Sequence, residues 1–206
     1  MAHLSSGSPS KIIAVGLNYR SHAAELDMPV PKEPVIFLKP PSAVIGAGDT
    51  IVLPPDAGRI DYEAELAVIV GATARNLSRE NAAGAVLGYA CANDITARDL
   101  QARDGQWTRS KSFDTFCPLG PGVEVEPPPP EARVELFLNG ERRQSSPLSD
   151  MIFPPLELVS FISGIMTLER GDVILTGTPP GVGALTAGDT VTVRIDGIGE
   201  LVNSVR

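Results

Sequence analysis

Short apolar runs alternate along this chain with glycine and proline, and the 3.6-residue apolar stripe of a long helix is nearly absent. Runs rich in β-branched residues predict strands at Lys11–Val15, closed by Gly16, and at Val35–Lys39, ended by Pro40-Pro41. Thr50–Leu53, ended by Pro54-Pro55, predicts a third. Asp61-Tyr62-Glu63-Ala64-Glu65-Leu66 runs into Ala67–Val70, a buried strand with carboxylates at its mouth. Ala85–Ala92 is apolar and stops abruptly at Asn93-Asp94. Further on, Arg133–Asn139 alternates Val134, Leu136 and Leu138 into the turn signal Asn139-Gly140. Asp172–Thr176 leads into a Gly177–Gly183 loop, and Thr190–Ile195, Asp196-Gly197 and Glu200–Val205 predict a closing hairpin. One helical stripe, Leu156, Val159, Ile162 and Met166, predicts a helix from Pro155 to about Leu168, ended by Gly171. Shorter helices are expected after Ser21 and Ser78, with each serine as the cap. Ile95–Arg103 reads as helix or loop, Trp107–Phe116 as irregular, and Glu124–Pro130 as a stiff connector of polyproline character.

Composition narrows this pattern to a β-rich fold of one domain. The 206 residues suit a single core, here residues 11–206, with residues 1–10 as a flexible tail lacking the apolar centre of a signal peptide. A net charge of −8 argues against nucleic acid and acidic membrane surfaces as partners, and no apolar run reaches the length of a membrane span. Cys91 and Cys117 are too few for a disulfide scaffold, so a reduced, cytoplasmic protein is expected. In so acidic a chain, a small anionic ligand needs a local cation.

The chemistry gathers at the carboxylates. Residues two apart on a strand face the same way, so Glu63 and Glu65 stand side by side, roughly 6–7 Å apart. Buried together they repel, and something positive must sit between them, a basic side chain or a metal ion. The alternative is a solvated strand end, with Arg59 or Arg75 as a salt-bridge partner. Asp94, at the end of the next apolar run, can face both if the two strands are neighbours. Three carboxylates without a nearby histidine make an all-oxygen set, suited to Mg²⁺, Mn²⁺ or Ca²⁺ rather than zinc. His3 falls in the tail, leaving His22, which has Glu25 three residues on as either a surface ion pair or a proton-transfer dyad. Lys111 is either exposed or a point charge beside an oxyanion. The Gly177–Gly183 loop, with the Thr178 hydroxyl, can hold a carboxylate or be a plain turn. The proline-flanked segment around His22 is a candidate lid.

Several stretches occur in an order that resembles one family. They are Gly16-Leu17-Asn18-Tyr19 with His22 and Glu25, Phe37-Leu38-Lys39-Pro40-Pro41-Ser42, and Asp61-Tyr62-Glu63-Ala64-Glu65. Asn93-Asp94-Ile95-Thr96-Ala97-Arg98-Asp99 with Gln101, Lys111-Ser112-Phe113-Asp114 and Thr176–Gly183 follow. The chain closely resembles the fumarylacetoacetate hydrolase family, in its small prokaryotic form, from about Lys11 to the C-terminus. The resemblance implies an α+β, β-rich fold, a mixed β-sandwich roll with short helices, in a homodimer holding Mg²⁺ or Mn²⁺. By the same resemblance Glu63, Glu65 and Asp94 are metal ligands, His22 and Glu25 activate water from a mobile lid, and Lys111 stabilises developing negative charge. Arg98, Gln101 and Thr178 then contact a small anionic keto-acid substrate. Ser21 stands where many relatives have Asp, and Leu17 where some have Arg, positions that bear on substrate preference. The expected activity is C–C bond cleavage of a 2-keto or 1,3-diketo acid, by hydrolysis or decarboxylation. The alternatives are an isomerase/decarboxylase of hydroxymuconate type and a catalytically idle binding fold.

Overall fold

The computed structural model describes residues 9–206; the rest of the expected tail, with His3, lies outside the described residues. In chain order the elements are β1 (Ile12–Gly16), α1 (Arg20–Glu25), β2 (Val35–Lys39), β3 (Val44–Ile45), β4 (Thr50–Ile51), β5 (Ile60–Tyr62) and β6 (Ala64–Val70). Then come β7 (Val86–Asn93), β8 (Thr96–Ala97), α2 (Arg98–Asp104), α3 (Thr108–Lys111), β9 (Cys117–Glu124), β10 (Arg133–Leu138) and β11 (Glu141–Pro147). The chain finishes with α4 (Pro155–Ile165), β12 (Val173–Leu175), β13 (Gly183–Ala184), β14 (Thr190–Ile195) and β15 (Gly199–Val205).

The strands form a seven-stranded sheet in the order β2-β1-β12-β6-β7-β9-β3, a five-stranded sheet β11-β10-β14-β15-β4 and a small sheet β13-β5-β8. The central strand β6 is buried on both faces, which is why its sequence is a continuous apolar run. Its Leu66, Val68 and Val70 enter the core between the two large sheets, with Leu136 of β10 and Val193 of β14. The alternate residues Ala67 and Ile69 face a second cluster rich in alanine. Phe37 of β2 and Val44 of β3 pack on that same second cluster. These are the opposite edge strands, so the seven-stranded sheet curls round a narrow interior that small side chains leave room for. This is the expected mixed β-rich roll with short helices.

Several local expectations change. The last helix ends at Ile165, because Leu168 leaves it to exchange two hydrogen bonds of 2.9 Å with the backbone of Ala74. Ser21 is not a cap: α1 begins at Arg20, and the Ser21 N–H and hydroxyl both bind Asp150 Oδ2. Ser78 precedes a 3₁₀ turn, residues 79–85, without capping it through its side chain. The segment from Trp107 contains α3, and β9 was masked in the sequence by its Gly120-Pro121-Gly122. Among the described residues no helix is long and apolar enough to cross a membrane.

Candidate metal and proton-transfer site

The site is built on the β6–β7 pair. The two strands are antiparallel neighbours, with Ala64 opposite Asn93 and Glu65 opposite Ala92. Glu63 falls in the one-residue break between β5 and β6, where its N–H donates to the Asn93 side chain at 2.8 Å. Its carbonyl accepts from the Asp94 N–H at 2.9 Å. These bonds bring Glu63, Glu65 and Asp94 together, with one carboxylate oxygen from each lying within 4.8 Å of the others.

The positive charge predicted among them is present, but not from Arg59 or Arg75. Arg59 pairs with Asp61, and Arg75 with Asn76 and the Ser163 carbonyl. Lys111 is buried instead of exposed, and its Nζ donates to Glu63 Oε2 at 2.8 Å and to Asp94 Oδ2 at 2.6 Å. Lys39, fully buried, donates to Asp94 Oδ1 at 2.6 Å and to the Lys111 carbonyl at 2.5 Å. Arg98 binds Glu63 Oε1 and donates from Nε to Asp61 Oδ2 at 2.8 Å.

The two glutamates therefore differ. Burial pushes the Glu63 carboxyl up, but Lys111 and Arg98 outweigh it and lower it to about 2. Burial also pushes Glu65 up, Asp94 and Glu63 push it further, and it ends well above the carboxylate range. Among the described residues one hydrogen bond reaches the Glu65 carboxylate, 2.6 Å from the Gly177 N–H. Burial works against the charge on Lys111, yet Asp94 and Glu63 hold its pKa above the ordinary lysine value. Three buried carboxylates offering oxygens to one point, with Glu65 lacking a cationic partner among the described residues, fit a hard divalent cation held by oxygen.

The Gly177 loop is held close to the turn after β1. Gly177 has φ +90°, and a Cβ there would lie 2.7 Å from the Asn18 Cβ, so only glycine fits. Asn18 itself donates to the carbonyls of Thr176 at 2.7 Å and Phe153 at 3.0 Å, and accepts from the Phe153 N–H. Gln144 of β11 reaches in from the other large sheet. Its Oε1 accepts from the Ala64 N–H, so the amide orientation is set and Nε2 donates to Thr178 Oγ1 at 2.9 Å and to the Pro179 carbonyl. The Thr178 hydroxyl, already an acceptor, keeps its own proton for a ligand.

On the opposite side, the buried His22 has its Nδ1 2.8 Å from Glu25 Oε2, and Glu25 Oε1 accepts from the Gly181 N–H at 3.1 Å. Arg98 also donates to the side-chain Oε1 of Gln101 at 2.9 Å, an i, i+3 pair on α2. One cavity of about 240 Å³ is lined by His22, Glu63, Glu65, Asp94, Arg98, Gln101, Lys111 and Thr178, with Glu25 behind His22. The sequence thus pointed to one constellation. It missed three supporting residues: Lys39 and Asp61 lie inside the Phe37–Ser42 and Asp61–Glu65 stretches, while Gln144 carries no sequence signal, since β11 meets β6 only in the folded chain.

Comparison with known proteins agrees with this geometry. An uncharacterized protein of Archaeoglobus fulgidus is 57% identical over 196 residues, which is 95% of this chain and 78% of that one. A mitochondrial oxaloacetate tautomerase of Bos taurus is 43% identical over 209 residues, 96% of this chain and 67% of that one. The crystal structure of 5-carboxymethyl-2-hydroxymuconate delta-isomerase from Mycobacterium smegmatis superposes with a TM-score of 0.90 at 47% identity, covering 96% of this chain and 78% of that one. Residues 11–206 match the fumarylacetoacetate (FAA) hydrolase C-terminal domain, and with that match and these relatives the chain belongs to the fumarylacetoacetate hydrolase family.

Proposed function

We propose that this chain is a divalent-metal-dependent enzyme that cleaves a C–C bond in a 2-keto or 1,3-diketo acid. The observation that carries the reading is the convergence of three buried carboxylates, a buried lysine and a histidine–glutamate pair on one cavity. Glu63, Glu65 and Asp94 are the residues that would hold Mg²⁺ or Mn²⁺, which supplies Lewis-acid polarisation of the keto group when bound. The Thr178 hydroxyl donates to the substrate carboxylate. Two donors of Lys111 are engaged by Glu63 and Asp94, and the third N–H is available to the oxygen on which charge develops as the bond breaks. For hydrolysis, His22, oriented by Glu25, takes a proton from water, and the hydroxide adds to the distal carbonyl. The C–C bond then breaks, leaving a carboxylic acid and an enolate, to which His22 returns the proton. Decarboxylation needs no attacking water, so there the segment bearing His22 serves to exclude solvent.

A second reading is an isomerase or tautomerase, in which His22 and Glu25 move a proton along the substrate. The names of the bovine tautomerase and the mycobacterial isomerase favour it. Turnover of acetylpyruvate and oxaloacetate, each with Mg²⁺ and with a chelator, separates the readings. Chelator-sensitive cleavage of acetylpyruvate is the expected result. Loss of oxaloacetate alone favours decarboxylation, and silence on both with metal bound favours the isomerase. Glu63→Gln leaving Mg²⁺ binding and turnover intact removes the metal assignment, whereas failure to bind any divalent ion, even in large excess, revives an idle binding fold.

A further inference from the structure

The cavity has two unlike ends. The charged end is described above. The other is formed by Leu17, Leu26, Met28, Phe37 and Trp107. The two ends meet at Phe37: Lys111 Nζ lies 4.9 Å from the centre of its ring, and the Trp107 ring stands edge-on to it at 5.3 Å and 75°. Trp107 is seated rather than loose, since a Cβ on Gly16 would come within 2.7 Å of its ring. Leu17 holds a left-handed φ of +48°, unfavourable for a bulky residue, and the bonds of its neighbour Asn18 to Phe153 and Thr176 brace that turn. Leu26 and Met28 are about half exposed, so apolar surface at the cavity mouth faces water.

Charge points the same way. Among the described residues, Arg98 and Lys111 are the only Arg or Lys side chains lining the cavity, and both are anchored to Glu63 at the charged end. Among the described residues no Arg or Lys lines the apolar wall to meet a second carboxylate, and the chain as a whole carries −8. A distal carboxylate placed there would lose its hydration without gaining a partner.

Resting on the keto-acid reading above, we infer that the substrate is a monocarboxylate whose distal group is uncharged and apolar, an alkyl or aryl chain lying along Phe37 and Trp107 and covering Leu26 and Met28. The 2-keto acid head occupies the charged end. Each added methylene that is buried there strengthens binding about fourfold.

The test is calorimetric binding of three unreactive 2-keto acids to the Mg²⁺-loaded full chain: pyruvate, 2-oxohexanoate and 2-oxoadipate. The last two have equal chain lengths and differ by a terminal carboxylate. The expected result is 2-oxohexanoate at least tenfold tighter than pyruvate and tighter than 2-oxoadipate. Equal affinity for pyruvate and 2-oxohexanoate, or 2-oxoadipate binding as well as 2-oxohexanoate or better, overturns the inference while leaving the keto-acid reading standing. If none of the three binds although Mg²⁺ does, the keto-acid reading itself fails. Met28→Arg, with its fold checked by melting temperature, places a cation at the mouth and is expected to reverse the order of the two six-carbon acids. An unaltered order in that variant places the distal group elsewhere and overturns the inference.

Discussion

The two sides of the cavity are built to opposite specifications. The carboxylate side rests on β6 and β7, central strands of the curled sheet, where Glu63, Glu65, Asp94, Lys39 and Lys111 are all buried and cross-linked. The histidine side rests on a six-residue helix followed by Pro29, Pro31 and Pro34, with Leu26, Met28 and Val30 about half exposed. Its polar ties are few: Ser21 to Asp150, and Glu25 to the Gly181 N–H. A charge-holding site needs fixed geometry and gets it from the sheet. The proposed proton-transfer residue, His22, sits on the less firmly packed element, where local opening would cost less than in the sheet.

The largest expected effect comes from removing the histidine side alone. His22→Ala is expected to lower hydrolysis about 10²–10⁴-fold while leaving divalent-ion affinity as it was, measured by turnover and calorimetry on the same preparation. Equal loss of decarboxylation would instead leave the water-activating role without support. On the sheet side, Lys111→Met leaves Glu63 and Asp94 buried with less compensation, and should cost about 3–5 kcal/mol of folding stability in urea. Added Mg²⁺ should restore part of that loss; no loss at all would mean that the cluster is already neutralised by protonation.

Asp172 gives a smaller effect that depends on pH. Burial pushes its carboxyl up, but Lys11 and Ser10 outweigh this and hold it below the ordinary carboxylate value, tying the start of β1 to β12. A lowered folded-state pKa stabilises above the unfolded value, about 3.9, and that stabilisation is lost as pH falls through the folded value. Asp172→Asn should therefore cost about 1–3 kcal/mol at pH 7, with the gap from the parent closing below about pH 4. The smallest change is Ser21→Ala, about 1 kcal/mol. It should speed amide exchange across residues 20–28 without touching β6 or β7, and equal speeding in both would erase the contrast between the two sides.

How much of this could be read in advance differs between the same two sides. The carboxylate strand announced itself, because a period-two pair of acids at the mouth of an apolar run has few explanations that cost nothing. The dyad was visible as an i, i+3 pair, yet the burial of His22 and the bond from the Gly181 N–H to Glu25 were not, since both depend on segments far away in sequence. Ser21 misled because a serine before a short helix is a good local cap, and Asp150, distant in sequence, took its hydroxyl instead. Arg59 and Arg75 stood nearest in sequence as salt-bridge partners for a solvated strand end, whereas the cations that meet Glu63 and Asp94 came from β2, α2 and α3.

By itself the sequence determined that the chain is β-rich, that Glu63 and Glu65 share a face, that Asp94 ends the next apolar run, and that one family order is present. These follow from local rules, strand alternation and turn chemistry, which act between residues a few positions apart. Only the tertiary structure decided that Lys111, Lys39 and Arg98 neutralise Glu63 and Asp94 while Glu65 stays uncompensated. It alone brought Gln144 across from the second sheet to orient Thr178, and set an apolar wall opposite the charges. Those outcomes depend on which strands become neighbours and on how far burial raises the cost of an unpaired charge, and both are fixed only when the sheet closes on itself.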